Sequence, residues 1–173
     1  MIGPSSSHTA GAVKIGQMSR IILGEKIRKA DIYFHGSFAK TFKGHGTDKA
    51  VVGGLLGFAV DDERIRDSLT YAEREGIKIG FHKKELRNVH PNTILLQLIG
   101  SQNKYSIKGS STGAGRIKIF EIDEYQVKIT GEFPSLWILH QDVPGETGRI
   151  TTTIGDYNIN IAFMEVARRE SKV

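Results

Sequence analysis

The sequence contains no cysteine among its 173 residues. The chain by itself therefore cannot supply a disulfide, a thiol nucleophile, a zinc–thiolate site or the ligands of an iron–sulfur cluster. Long apolar runs are also missing, because the longest, residues 50–60, is interrupted by glycines and falls short of the ~20 residues that span a bilayer. No segment resembles a signal peptide or a lipidation site, so we expect a cytoplasmic protein.

Charge and glycine content exclude further classes of protein. Lys and Arg total 24 against 19 Asp and Glu, and this net charge of +5 is dispersed along the chain, which argues against nucleic-acid binding. Charged residues at 25% and apolar residues at 39% exclude a disordered or coiled-coil chain. Glycine is abundant, at 20 residues against 4 prolines, which indicates positions of special backbone geometry.

Apolar spacing predicts an α+β fold. The first half is predicted to hold a helix ending at Gly24, a strand over residues 30–38, a polar loop over 36–48, a helix over 49–58 and a helix from Asp61 to Gly76. Strands are then predicted over residues 77–81, 93–99, 105–108, 116–122 and 125–130, with a hairpin turn at Asp123-Glu124. Residues 136–140, 145–157 and 160–168 are predicted as strand, helix and strand.

This pattern divides the chain into a domain over residues 1–131, a linker over 132–135 and a smaller domain over 136–173. The smaller domain is a single β-α-β unit, which cannot cover its own sheet. We therefore expect that it is either shortened or completed by strand pairing with another chain.

A hydroxyl-rich segment at the start of the first predicted helix is the first candidate site. Four hydroxyls and an imidazole favour an anion receptor, because free backbone N–H groups and the helix dipole already attract negative charge there. The residues are Ser5, Ser6, Ser7, His8 and Thr9. The alternative is an ordinary helix cap, for which one hydroxyl suffices.

A second candidate is the loop Gly44-His45-Gly46-Thr47-Asp48. Two flanking glycines let the backbone approach a ligand and let the imidazole of His45 project from a tight loop. Histidine transfers protons near neutral pH, so this loop suits acid–base chemistry. The alternative is a surface loop with a solvated histidine.

A third candidate, residues 109–116, combines hydroxyls with glycines and predicts either an N–H nest for an anion or a β-turn with a bulge. The turn is the favoured interpretation. Neither a complete dinucleotide-binding motif nor a Walker A motif occurs, and no histidine pair has a helical metal-binding spacing.

Several of these motifs, taken in order, resemble one known family. The segment 5–11, Gly36-Ser37, the loop 43–48, residues 53–55 and His90-Pro91-Asn92-Thr93 are similar to the β subunit of the iron–sulfur-dependent L-serine dehydratase. The resemblance implies the fold of the serine dehydratase β chain, an α+β domain also known as an allosteric substrate-binding domain in some serine-pathway dehydrogenases.

The resemblance also implies a heteromeric lyase that converts L-serine to pyruvate and ammonia without pyridoxal phosphate. A [4Fe–4S] cluster would be ligated by cysteines of an α subunit, and this chain would hold no metal. The implied substrate-binding residues are Ser5, Ser6, Ser7, His8, Thr9, Gly44, Thr47 and Asp48. His45 and His8 are the implied catalytic residues.

Residues 136–145 and 159–168 resemble the beginning of an ACT domain, a ferredoxin-like fold that is incomplete at this length. Such domains commonly bind amino acids at the turn that here runs from Asp142 to Gly145, which makes these two residues candidates for effector binding. Self-association through this segment is a further expectation. The competing hypothesis for the whole chain is a non-catalytic regulatory module that binds serine or another anion.

Overall fold

The computed structural model describes residues 8–167. The chain divides into two compact units, of which the first ends at Phe133 and the second begins at Pro134. The elements of the first unit are α1 (Ala10–Leu23), β1 (Lys29–Phe34), α2 (Gly36–Thr41), α3 (Thr47–Leu55), a 3-10 helix (Glu63–Asp67), α4 (Ser68–Arg74), β2 (Lys78–Lys83), β3 (Thr93–Ile99), β4 (Lys104–Gly113), β5 (Arg116–Ile122) and β6 (Tyr125–Ile129).

The six strands form one mixed sheet in the order β2-β1-β3-β4-β5-β6. The β1–β2 pair is parallel, and the other neighbours are antiparallel. In β1 the residues Ala30, Ile32 and Phe34 are fully buried and alternate with half-buried residues, as expected of a strand with one face on the core. Helix α1 packs on this core face, where its Ile15 lies beside Gly109 and Ile119. The fold is therefore α+β, as predicted.

The helix boundaries predicted from glycine are confirmed. Gly24 ends α1 with a φ of 70°, and Gly76 follows α4 with a φ of 73°. Both angles lie in the left-handed region that glycine adopts without strain. The hairpin at Asp123-Glu124 is also confirmed, because φ is 47° and 72° at its two central residues, the signs that a type I′ turn requires.

Within the candidate segment 109–116 the turn that the sequence favoured forms at residues 114–115, whereas residues 109–113 continue β4. Gly113, Ala114 and Gly115 have φ of 104°, 50° and 70°, and register shifts on β4 accompany them.

The strand predicted over residues 30–38 was too long. The chain leaves the sheet after Phe34, and residues 36–41 form α2 instead of part of a strand and a loop. Gly36 causes the change, because its φ is 54° and a Cβ there would overlap the backbone of Pro91. His35, expected inside the strand, is consequently the buried residue that precedes α2.

The second unit contains α5 (Glu146–Asp156), which begins after Gly145 as predicted. The strands expected over 136–140 and 160–168 do not form in the described part of the chain, so no paired β-α-β unit is present there; Arg168 itself lies outside the described residues. A strand needs a hydrogen-bonded neighbour, and the apolar side chains that suggested strands are exposed, Leu139 by 65% and Phe163 by 75%. Within residues 8–167, no helix is long and apolar enough to cross a membrane.

Candidate functional site

Helices α1 and α3 lie side by side and run in the same direction. The rings of His8 and His45, which precede them, are 4.8 Å apart, and further along Gln17 Nε2 donates a hydrogen bond of 2.7 Å to the carbonyl oxygen of Phe58. Both N-termini therefore lie at the same end of the pair. Each helix start carries partial positive charge and N–H groups without intrahelical acceptors, so this end attracts an anion.

Glycine makes the close helix contact possible. A Cβ on Gly54 would overlap the carbonyl oxygen of Val13, and one on Gly16 would overlap that of Val51. The backbones of α1 and α3 approach too closely for any larger residue at these two positions. The distance between the two helix starts is therefore set by glycine–backbone contacts.

His8 is held on three sides. Its Nε2 lies 3.3 Å from Ser37 Oγ, its ring meets Phe38 edge-on at 5.1 Å, and His45 stands perpendicular to it. Burial, and secondarily the charge of His45, lowers the pKa of His8 below its ordinary value of 6.5. His8 is consequently neutral at neutral pH, when an imidazole can accept a proton.

Unpartnered polar atoms concentrate around the two helix starts. Among the described residues, the buried side-chain atoms without a hydrogen-bond partner are Thr9 Oγ1, Ser19 Oγ, His45 Nδ1, Thr47 Oγ1 and Ser111 Oγ. All except Ser19 belong to residues that precede or begin α1 or α3, or that contact the first turn of α1. Buried polar groups normally have partners, so such a cluster indicates a place where a polar ligand completes the bonding.

Both helix starts also lack a side-chain cap. Thr9 and Gly46 occupy the two N-cap positions, and neither makes a side-chain capping hydrogen bond. In α3 the first turn is partly satisfied, because the N–H of Thr47 donates to the carbonyl oxygen of Phe42 and that of Lys49 to Asp48. Among the described residues, it is thus chiefly the first turn of α1 that is left with N–H groups for a bound anion to accept from.

The structure brings together some of the residues predicted from the sequence. His8, Thr9, His45 and Thr47 lie at this end of the α1–α3 pair. Ser5, Ser6 and Ser7 lie outside the described residues.

Gly44 is exposed in the turn before α3, and Asp48 occupies the first turn, where Oδ1 accepts from the N–H of Lys49 at 2.9 Å. Asp142 and Gly145 belong to the second unit and are exposed, and Gly145 is the N-cap of α5 with a φ of 92°.

Motif reasoning missed how Ser37 and Ser111 reach the site. The loop preceding β3 joins them, because Pro91 accepts a hydrogen bond from the N–H of Ser37 and Asn92 accepts one from the N–H of Ser111, both at 2.9 Å. The sequence does contain this loop as His90-Pro91-Asn92-Thr93, but no local pattern indicates which distant backbone its carbonyls accept from.

No metal centre is formed by the described residues alone, since no three His, Asp or Glu side chains are grouped to hold an ion. Two uncapped helix starts, two imidazoles in contact and buried hydroxyls define an α+β domain with a small polar binding site.

Comparison with known proteins gives this domain a family. The serine dehydratase beta chain family model matches residues 1–76. A probable L-serine dehydratase beta chain from Bacillus subtilis is 40% identical over 170 residues, covering 98% of this chain and 77% of the relative. The beta chain from Peptoniphilus asaccharolyticus is 39% identical over 92% of this chain and 73% of its own length. The chain belongs to the L-serine dehydratase β-chain family, and a β chain is one subunit of an enzyme with more than one kind of subunit.

The similarity extends to another enzyme. A D-3-phosphoglycerate dehydrogenase from Archaeoglobus fulgidus is 30% identical over 162 residues, which cover 93% of this chain but only 30% of the dehydrogenase. One from Synechocystis is 26% identical over 91% of this chain and 29% of its own length. A region the size of this chain is therefore found within larger proteins of different activity.

Proposed function

We propose that this chain binds the substrate in an L-serine dehydratase that converts L-serine to pyruvate and ammonia, together with an α subunit that carries a [4Fe–4S] cluster. The cluster of unpartnered polar atoms at the two helix starts supports a small charged ligand. The two β-chain relatives, about two-fifths identical, support the substrate and the lyase reaction.

The [4Fe–4S] cluster would belong to the α subunit, because this chain has no cysteine to ligate it. When bound there, an iron with an open position supplies a Lewis acid for the substrate hydroxyl. No pyridoxal phosphate takes part in the proposed reaction.

The start of α1 would hold the substrate carboxylate. Its uncapped N–H groups and the partial positive charge of the helix favour an anion by about 0.3–1 kcal/mol in exposed settings, and by more when partly buried. Thr9 offers a buried hydroxyl without a partner. The roles of Ser5, Ser6 and Ser7 as further donors rest on the family resemblance.

His45 would transfer a proton, with His8 as its immediate neighbour. The two rings are in contact, and burial, followed by the charge of His45, lowers the pKa of His8. A neutral imidazole can take the α-proton of the bound amino acid. Gly44, Thr47 and Asp48 would shape the loop that positions His45.

Anaerobic coexpression with the cysteine-bearing α subunit tests the proposal. The assembled pair should release pyruvate from L-serine, and this chain alone should be inactive. His45→Ala should lose most turnover, whereas His82→Ala, on the strand β2, should keep it. A pair that holds its cluster and releases no pyruvate contradicts the proposed reaction, and near-normal turnover by His45→Ala removes this histidine from it.

The second candidate is a regulatory module that binds serine or another anion without catalysis. The alignment with about 30% of the length of D-3-phosphoglycerate dehydrogenases favours it. The two functions differ at His45, because simple anion binding would use Lys or Arg more readily than histidine. L-serine binding by a pair that never turns over serine would favour the module.

The second unit would be the beginning of an ACT domain. Gly145 as the N-cap of α5 supports this assignment, since effectors would bind at the turn that precedes this helix, together with Asp142. Its unpaired apolar segments support self-association through strand pairing.

A further inference from the structure

Ser111 is a fully buried residue of β4 whose hydroxyl has no partner. Its backbone N–H is used, since it donates to the carbonyl oxygen of Asn92. Its neighbour Ser110 shows the contrast, because Ser110 Oγ is hydrogen-bonded to Thr93 Oγ1 at 2.7 Å. The hydroxyl of Ser111, in contrast, forms no hydrogen bond that holds the sheet together.

Packing alone does not explain this hydroxyl. Alanine would fill the same position without its polar oxygen, and burying an unsatisfied hydroxyl opposes folding. A wholly buried, unpartnered hydroxyl that also lies beside a candidate binding site is thus expected to form its hydrogen bond with the ligand there.

The position of the hydroxyl indicates which ligand group that is. Ser111 Oγ lies against Gly11 in the first turn of α1, so close that a Cβ on residue 11 would overlap it. Gly11 therefore leaves no side chain between the hydroxyl and the helix start. The uncapped N–H groups and the O–H of Ser111 are all donors, and a carboxylate accepts from several donors at once.

We infer that Ser111 is a substrate-binding residue, whose hydroxyl donates a hydrogen bond to the carboxylate of the amino acid bound at the start of α1. The inference rests on the proposed function, in which that site takes L-serine. It adds to the site a residue about a hundred positions away in sequence from the hydroxyl-rich motif.

Ser111→Ala and Ser19→Ala form a matched pair for the test. Ser19 is also fully buried with an unpartnered hydroxyl, but it lies eight residues beyond Gly11, about 12 Å along the helix axis. Both variants lose the same atom, and both should melt at the same or a higher temperature than the parent. Only Ser111→Ala removes a donor from the site.

The enzyme assembled with its α subunit is measured for KM, kcat and melting temperature with and without L-serine. Ser111→Ala should raise KM about tenfold to a hundredfold, the effect of losing a hydrogen bond to a charged group, with a smaller change in kcat. Its melting temperature should also rise less on adding L-serine. Ser19→Ala should match the parent in KM.

An unchanged KM in Ser111→Ala overturns the inference, as does an equal rise in both variants. If the parent itself produces no pyruvate, the proposed function fails. The rise in melting temperature with L-serine, compared between parent and Ser111→Ala, then still decides whether Ser111 binds the amino acid.

Discussion

His8 is the residue whose ionisation is most directly tied to the site. Its pKa is lowered by burial and by the neighbouring His45, so it binds a proton less readily when folded than when unfolded. As the pH falls through 6.5, the unfolded chain gains that proton first, and the contribution of neutral His8 to the free energy of unfolding is lost. The enzyme should lose activity over the same acidic range if neutral His8 is needed.

The variant His45→Asn should raise the pKa of His8 toward 6.5, because it removes the charge that opposes protonation. Burial remains, so the rise should be incomplete. Titration of the histidine rings by NMR measures it. His82→Asn serves as the control, since His82 stacks on Tyr33 and not on His8. A His8 titration that is identical in His45→Asn and the parent would show that the ring contact carries no electrostatic effect.

The sequence could identify His8, Thr9, His45 and Thr47 as candidates, because each belongs to a short motif with an evident chemistry. Ser37 and Ser111 could not be assigned in this way. Their approach depends on the loop before β3 accepting hydrogen bonds from both, a long-range arrangement that leaves no local pattern.

Among the elements, the loop between β3 and β4 is fixed by a carboxylate just beyond α1. Glu25 accepts hydrogen bonds from the backbone N–H groups of Ser101, Gln102 and Asn103 and from the Ser101 hydroxyl. These donors lower the pKa of Glu25 to about 2, the Ser101 hydroxyl most strongly. The contact joins the end of the site helix to the sheet.

We expect Glu25→Gln to lower the stability of the chain at neutral pH, because the amide lacks the second acceptor oxygen and the charge. A carboxyl with a depressed pKa stabilises above 4.5 and loses this effect as the pH falls toward 2. The difference between variant and parent in urea unfolding should therefore shrink over that range. Glu75→Gln, an exposed change at the end of α4, should show no such pattern, and a pH-independent difference for Glu25→Gln would contradict the explanation.

Helix packing gives a second prediction for an element. Gly54→Ala should lower the free energy of unfolding by about 1–3 kcal/mol, since its Cβ would force α3 away from the backbone of α1. Gly148→Ala in α5 meets no atom within 4 Å and should leave stability unchanged or raise it by up to about 1 kcal/mol. Thermal and urea unfolding compare the two. Equal effects would mean that the close approach of the helices is not what requires glycine.

Elements were predictable where a local signal coincided with the fold. Periodicity and glycine located the end of α1, the end of α4 and the last four strands to within a few residues, apart from β4, which continues five residues beyond its predicted end. The start of the helix predicted from Asp61 was wrong, because residues 63–67 form a 3-10 helix and α4 begins at Ser68. The residues that became α2 were misread, because Phe38 favours a strand locally while Gly36 and its contact with Pro91 turn the chain. The strands predicted in the second unit were wrong for another reason. An alternating pattern indicates which face of a strand would be apolar, but it does not show that a neighbouring strand is there to pair with.

At the scale of the whole molecule, the second unit should mediate self-association. Its exposed apolar side chains include Leu139 and Phe163. We expect a concentration-dependent increase in mass by sedimentation, weakened by Phe163→Glu. Ile21→Glu, at a residue of α1 that is 66% exposed, is the control and should not change the mass. A monomer at all concentrations would remove the expectation of strand pairing between copies.

The two sides of the proposed substrate site are also far apart in the order of synthesis. Thr9 precedes α1 and Ser111 lies near the end of β4, so the site cannot exist until the nascent chain has delivered most of the sheet. Any partly folded form in which β3 and β4 have not paired lacks the Ser111 side of this site. A ligand that binds there stabilises only the finished sheet, in proportion to its concentration over its dissociation constant. If the proposed site takes L-serine, abundant L-serine would thus protect newly made chains from proteolysis and link the lifetime of the subunit to the supply of this amino acid.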